Sequence, residues 1–141
     1  MVGWTYWAQG RYDEAAREFD QARRILEAEV KSRPDDARLR SSLGVAYAGL
    51  GRRVDALREG KRAAALMPIE KDALVAGWML TDLGWTYVMT DDPGTAATVF
   101  DRVLSMPSWL SIEALLLDPR LDQYRDHPAF IELAAKHRPA D

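Results

Sequence analysis

The chain has 141 residues, 48% of them hydrophobic and 29% charged, with 9 Gly, 7 Pro and no Cys. That length suits one domain with a packed core; the composition excludes disordered and collagen-like classes, and the lack of Cys excludes disulfides, thiolate catalysis, Cys-based zinc sites and iron–sulfur clusters. A formal charge of −3 provides no global pull toward nucleic acid or an acidic membrane surface, which leaves a cytoplasmic globular domain as the expectation.

Met1, Val2, Gly3 and Trp4 open the chain without a basic stretch or a long apolar run, so no signal peptide is read there. A tight turn follows at Gly10-Arg11, and Ala15, Phe19, Ala22 and Ile25 then recur at the spacing of one helix face. This helix is expected to stop near Pro34, since proline removes a donor and biases its predecessor out of the helical region. Asp35-Asp36 reads as the next helix start, where carboxylates accept from free N–H groups. The same succession returns as Gly44, Tyr47, a turn at Gly51-Arg52, then Ala56, Gly60, Ala63 and Leu66 before Pro68. Residues 73–89 form the longest apolar stretch, short for a bilayer and interrupted by Asp82, and are read as a buried helix. Within and after it come Gly84, Tyr87, a turn at Asp91-Asp92-Pro93-Gly94, then Ala96, Phe100, Val103 and Leu104 before Pro107.

The three segments are in register. Gly3, Gly44 and Gly84 are spaced by 41 and then 40 residues, and Ala15, Ala56 and Ala96 keep the same intervals. Such repetition describes a helix, a tight turn and a second helix: the small residue lets the helices approach, and the Tyr ring fills the space one turn later. It resembles the tetratricopeptide repeat family, with Leu43-Gly44, Tyr47, Gly51, Ala56, Ala63 and Pro68 as the best copy and residues 1–107 as the extent. The family period is about 34 residues, so the units here are longer by about six or seven. That surplus is assigned to about two extra helical turns, in residues 25–32 of one second helix and residues 71–79 of a first helix. Gly60 stands where a bulky Phe is expected, which predicts a thin middle unit, and the first unit lacks most of its first helix before Gly3. The resemblance implies an all-α fold: a short right-handed α-solenoid of about three hairpins, at residues 1–34, 35–68 and 69–107, with a C-terminal capping helical segment over residues 108–141.

In that last segment residues 108–117 read as a short amphipathic helix, Asp118-Pro119 as its break, and residues 120–125 as a turn. Asp126-His127-Pro128 opens a final helix through Phe130, Ile131 and Leu133. The run Leu115-Leu116-Leu117-Asp118-Pro119-Arg120-Leu121-Asp122, with His127-Pro128-Ala129-Phe130, resembles the tail of bacterial proteins that carry such repeats C-terminal to a serine/threonine kinase, a nucleotide cyclase or a DNA-binding response domain. Capping the open end of the solenoid is its expected physical role.

No catalytic constellation is read. A Gly-rich phosphate loop, a nucleophile elbow and a kinase signature are all missing from the sequence. His127 and His137 are ten residues apart, an unsuitable spacing for a shared metal on one helix, and read as a first-turn surface residue and a fraying end. Asp35-Asp36 and Asp91-Asp92 are explained by helix capping, and neither these pairs nor Asp118 with Asp122 carry a sequence sign of the burial and pocket that acid/base work needs. No metal, cofactor or catalytic residue is therefore expected. Arg52, Arg53, Arg58, Lys61 and Arg62 concentrate on one helix, within a stretch (residues 11–62) holding 13 basic and 10 acidic residues, against 6 and 12 from Ala63 onward. These read as the wet outer face of a second helix, with a basic docking patch as the alternative; no aromatics alternate with them as RNA binding would require.

The tryptophans carry the functional expectation. In the family that the repeats resemble, first helices line a concave groove, and positions i, i+3, i+7 share a face. This places Trp4 and Trp7 of the first unit, Arg38, Ser41 and Val45 of the second, and Trp78, Thr81 and Trp85 of the third on a partner-binding groove. Aromatic walls with few charges suit an apolar peptide segment or partner helix; the Lys, Asn and Arg of the family's basic clamp for acidic chain ends are missing from the matching positions. The alternative for the same tryptophans is packing within the domain, under the C-terminal tail. The expected function is thus a non-enzymatic protein-interaction module or scaffold, with the C-terminal regulatory region of a larger bacterial signalling enzyme or transcriptional regulator as the alternative. A third expectation is an oligomer whose groove holds its own tail. Self-association through the open N-terminal end is also expected, with no nucleic acid or membrane among the partners.

Overall fold

Helix starts follow local capping chemistry. The Asp36 side chain accepts from the N–H groups of Arg38 and Leu39, Asp72 from Val75, Asp92 from Thr95 and Ser111 from Ala114, each satisfying donors that a first helical turn leaves unpaired. The computed structural model describes residues 1–140, and among these the regular elements are all helical. They are α1 (Gly3–Ala8), α2 (Tyr12–Ser32), α3 (Ala37–Gly49), α4 (Arg53–Leu66), α5 (Ala73–Met89), α6 (Pro93–Leu104), α7 (Ile112–Leu117), a 3-10 turn (Pro119–Tyr124) and α8 (Pro128–His137). Helices α1 and α2, α3 and α4, and α5 and α6 pair as hairpins, and α3 packs on α2, α4 and α5 in a helical solenoid.

The turns inside the hairpins repeat one geometry. The N–H groups of Arg11, Arg52 and Asp92 donate to the carbonyls of Tyr6, Tyr47 and Tyr87, each at 2.9 Å. The residue before each donor is left-handed: Gly10 and Gly51 at φ 73°, and Asp91 at φ 61°. Glycine has no Cβ to resist that conformation, and Asp is among the few residues that tolerate it. Arg11 and Arg52 then fold their guanidiniums over the Tyr6 and Tyr47 rings, both 4.5 Å from the ring centre.

Inside the hairpins, size is matched rather than repeated. Ala15, Ala56 and Ala96 are fully buried, as are Phe19 and Phe100. A Cβ on Gly84 would stand 2.7 Å from the Phe100 ring, so the glycine is what admits the Phe. In the middle hairpin Gly44 faces the Ala56 carbonyl and the Gly60 backbone, and Leu83 of α5 closes on Gly60 from the other side. The missing Phe thus brings two backbones together, and a side chain of the next unit packs where it would stand.

Helix α2 has 21 residues against 14 in α4, the two-turn surplus expected of residues 25–32. The second surplus is smaller. Helix α5 starts at Ala73, where Asp72 caps it, and with 17 residues against 13 in α3 it gains about one turn. Residues 108–111 are not helical, in contrast to the sequence reading: the Ser108 hydroxyl donates back to the Val103 carbonyl at 3.2 Å, and the helix begins only after Ser111. His127 is the cap of α8, its Nδ1 accepting from the Ala129 N–H at 3.2 Å. His137 does not fray; its Nε2 lies 2.6 Å from Asp101 of α6, which also accepts from Lys136 at 2.8 Å. These contacts, with Leu115, Leu121 and Phe130 fully buried, dock the tail on the third hairpin.

Candidate functional site

Positions 78, 82 and 85 of α5 follow the i, i+4, i+7 spacing, so Trp78, Asp82 and Trp85 share one face. Facing them are Arg38 and Ser42 of α3 and Trp4 of α1, while Trp109 enters from the connection before α7 and Arg120 from the 3-10 turn. With Met79 and Thr81 these residues line an open cleft of about 340 Å³.

The floor of the cleft is an aromatic spine. Trp4 meets Phe19 and Trp85 edge-on, each with ring centres 6.4 Å apart. Trp85 meets Phe100 at 5.1 Å, and Phe100 meets Phe130 at 6.3 Å. The three edge-to-face pairs contribute about 0.5–1.5 kcal/mol each beyond burial, and with the tilted Phe100–Phe130 pair they join the first hairpin to the last helix. Trp85 is only 3% exposed, whereas Trp78 is 40% and Trp109 55% exposed. The deep indoles hold the domain together; the rim indoles face solvent.

Charge in the cleft comes from both chain directions. The Arg120 guanidinium lies between two indoles, 4.1 Å from the Trp4 ring centre and 3.9 Å from that of Trp85. Its Nε and Nη2 donate to Asp118 at 2.9 and 2.6 Å. Burial alone would raise the Asp118 carboxyl, but the bonds from the Arg120 side chain and backbone prevail and hold it below its ordinary value. Asp82 behaves oppositely. Burial pushes its carboxyl up, and neither the Ser41 hydroxyl, which donates to it at 2.7 Å, nor the Arg120 charge reverses the shift.

Of the residues expected on the groove, the structure brings Trp4, Arg38, Trp78, Thr81 and Trp85 together on the cleft. Thr81 is buried there, its hydroxyl donating to the Gly77 carbonyl at 2.7 Å. Trp7, Ser41 and Val45 stand elsewhere. Trp7 packs edge-on against Tyr12 at 6.2 Å, Val45 is buried with Ala15 and Phe19, and Ser41 lies beneath Asp82 as its donor. The tail accounts for the Trp4–Trp85 end of the cleft, since Arg120 covers both rings.

Ser42, Met79, Asp82, Trp109 and Arg120 are the wall residues that sequence reasoning missed. The helical spacing from Trp78 already marks Asp82; Arg120 has no local signal, because its place depends on the tail crossing to α1. The four arginines of the basic run at α4 are engaged internally: Arg52 and Arg58 pair with Asp55, Arg53 with Asp92, and Arg62 with Asp35. Glu59, nearly fully buried, receives Arg40 at 2.7 Å. Among the described residues no group of three or more His, Asp or Glu is placed to hold a metal ion, and no helix is long and apolar enough to cross a membrane.

Stacked α-hairpins of this kind define the class of helical-repeat proteins. A family model for the tetratricopeptide repeat matches residues 2–69, the first two hairpins, and supports reading this segment as repeats of that family. No curated protein and no solved structure matches the chain. Repeats of this family generally mediate protein–protein interaction and are typically non-catalytic.

Proposed function

We propose that the chain is a non-enzymatic interaction module that holds a segment of a partner protein at the rim of the tryptophan cleft. The observation that carries this reading is the contrast among indoles. Trp4, Trp7 and Trp85 are packed or half-covered, whereas Trp78 and Trp109 stand exposed beside the same opening. Large rigid aromatics at an open cleft add contact area with little loss of side-chain entropy, as interface anchors do. The test is affinity capture from the native lysate by wild type and by the Trp78→Ala/Trp109→Ala double variant. A partner held by the first and lost by the second, with hydrogen-exchange protection mapping to α3 and α5, supports the reading; equal capture refutes it.

A second reading rests on the tail. Residues 115–130, which resemble the tails of bacterial kinases, cyclases and regulators, form a docked unit with Leu115, Leu121 and Phe130 fully buried. On that reading the module is a cytoplasmic regulatory region of such a signalling protein. Sequencing the gene on both sides of this segment tests it, and flanking sequence without a catalytic or DNA-binding domain ends it.

A further inference from the structure

Two guanidiniums share the cleft, and they are not equally served. Arg120 is stacked on indoles and carries its own carboxylate, because Asp118 takes two of its N–H groups. Arg38 lies over the Trp78 ring at 5.6 Å and is exposed. Its hydrogen bond to Asp36 runs through the backbone N–H, and no carboxylate pairs with its guanidinium among the described residues. The two sites therefore have the same design, a planar cation laid on tryptophan, but one lacks its anion. The same cleft is lined by Trp109, which is 55% exposed, and by the buried Met79.

We propose that the open end of the cleft takes an extended segment of a partner protein carrying a side-chain carboxylate beside a large apolar residue, with the carboxylate on Arg38 and the apolar group against Trp78 and Trp109. The inference rests on the reading of the cleft as a partner site and adds the chemistry of the occupant. Asp118 is the internal template: its carboxylate is a side chain within a continuous segment, so a free chain end is not required. A guanidinium fork binds a carboxylate through two parallel N–H groups, and stacking on an indole leaves those edges available.

The experiment pans a phage-displayed random dodecapeptide library, fused through its C-terminus so that no free chain end is presented, against the full chain. Enriched sequences are then made as fluorescein-labelled, C-terminally amidated peptides and titrated by fluorescence anisotropy. Asp or Glu next to Leu, Phe, Met or Trp is the expected enrichment. Arg38→Glu is expected to weaken those peptides about tenfold or more, and Arg38→Ala by less. Peptides with the acid replaced by Lys are expected to bind Arg38→Glu better than wild type. Because Arg38 is on the surface, circular dichroism serves to show that both variants keep wild-type helix content. Enrichment of basic or neutral sequences, or affinities within twofold for Arg38→Glu and wild type, overturns the proposal. If those other sequences still lose binding in Trp78→Ala/Trp109→Ala, the cleft remains a partner site with different chemistry; enrichment of nothing overturns both readings.

Discussion

Replacing Arg120 with Ala removes two stacking contacts and an ion pair at once. The guanidinium lies 4.1 and 3.9 Å from two ring centres, and each such contact contributes about 1 kcal/mol when partly shielded from water. Its pair with Asp118, in which both side chains are 22% exposed, adds up to about 1 kcal/mol. The expected loss is about 2–3 kcal/mol, which for a chain of this length lowers the thermal midpoint by roughly 6–10 °C. Arg120→Lys keeps the charge but loses the planar fork, and is expected to recover less than half of that difference. Helix ellipticity and tryptophan fluorescence followed on heating provide the assay. Acid supplies a second readout. Asp118 is held below its ordinary value in the folded protein despite its burial, so this part of the stability is present above about pH 3.9, the unfolded value, and disappears as pH falls through the lower folded one. The gap between wild type and Arg120→Ala is therefore expected to narrow below about pH 4. A midpoint shift under about 2 °C, or full recovery by Lys, refutes the stacked-clamp account.

Other positions test the packing and the buried acid. Gly84→Ala places a Cβ 2.7 Å from the fully buried Phe100 ring, and overpacking of about 1–3 kcal/mol outweighs the gain in helix propensity. Gly94→Ala meets nothing within 4 Å and is expected to stabilise by about 0.5–1 kcal/mol; urea unfolding midpoints moving in opposite directions check the pair. Asp82→Asn removes a carboxyl that burial pushes up. The folded state then binds more protons than the unfolded one between the two values, so wild-type stability falls as pH rises through that window. Asp82→Asn is expected to lack this decline and to match or exceed wild type at pH 7, as thermal midpoints across pH 3–7 measure.

Much of the fold was legible because its determinants lie close together along the chain. The turns at Gly10-Arg11 and Gly51-Arg52 and the capping roles of Asp36 and Asp92 depend on neighbours within about five residues, and the Gly44 and Gly84 positions on the partner helix of the same hairpin. The substitution of Asp91 for glycine in the third turn kept the geometry, because a left-handed backbone requires tolerance rather than one residue type. Errors arose where distant groups compete for the same chain. Amphipathic spacing marked residues 108–117 as helical, but Ser108 is drawn back to the end of α6 and the helix starts late. His137 looked like a loose end because Asp101, which holds it, lies 36 residues away.

The cleft divides along the same line. Periodicity placed tryptophans on the first helices, since each residue advances about 100° around its own axis whatever surrounds it. Which of those rings stay wet was settled by the path of the tail, which lays Arg120 over Trp4 and Trp85, leaves Trp78 open and adds the exposed Trp109 beside it. Helical phase is a property of a few consecutive residues. Exposure is a property of everything that packs nearby, and no stretch of the chain read in isolation contains it.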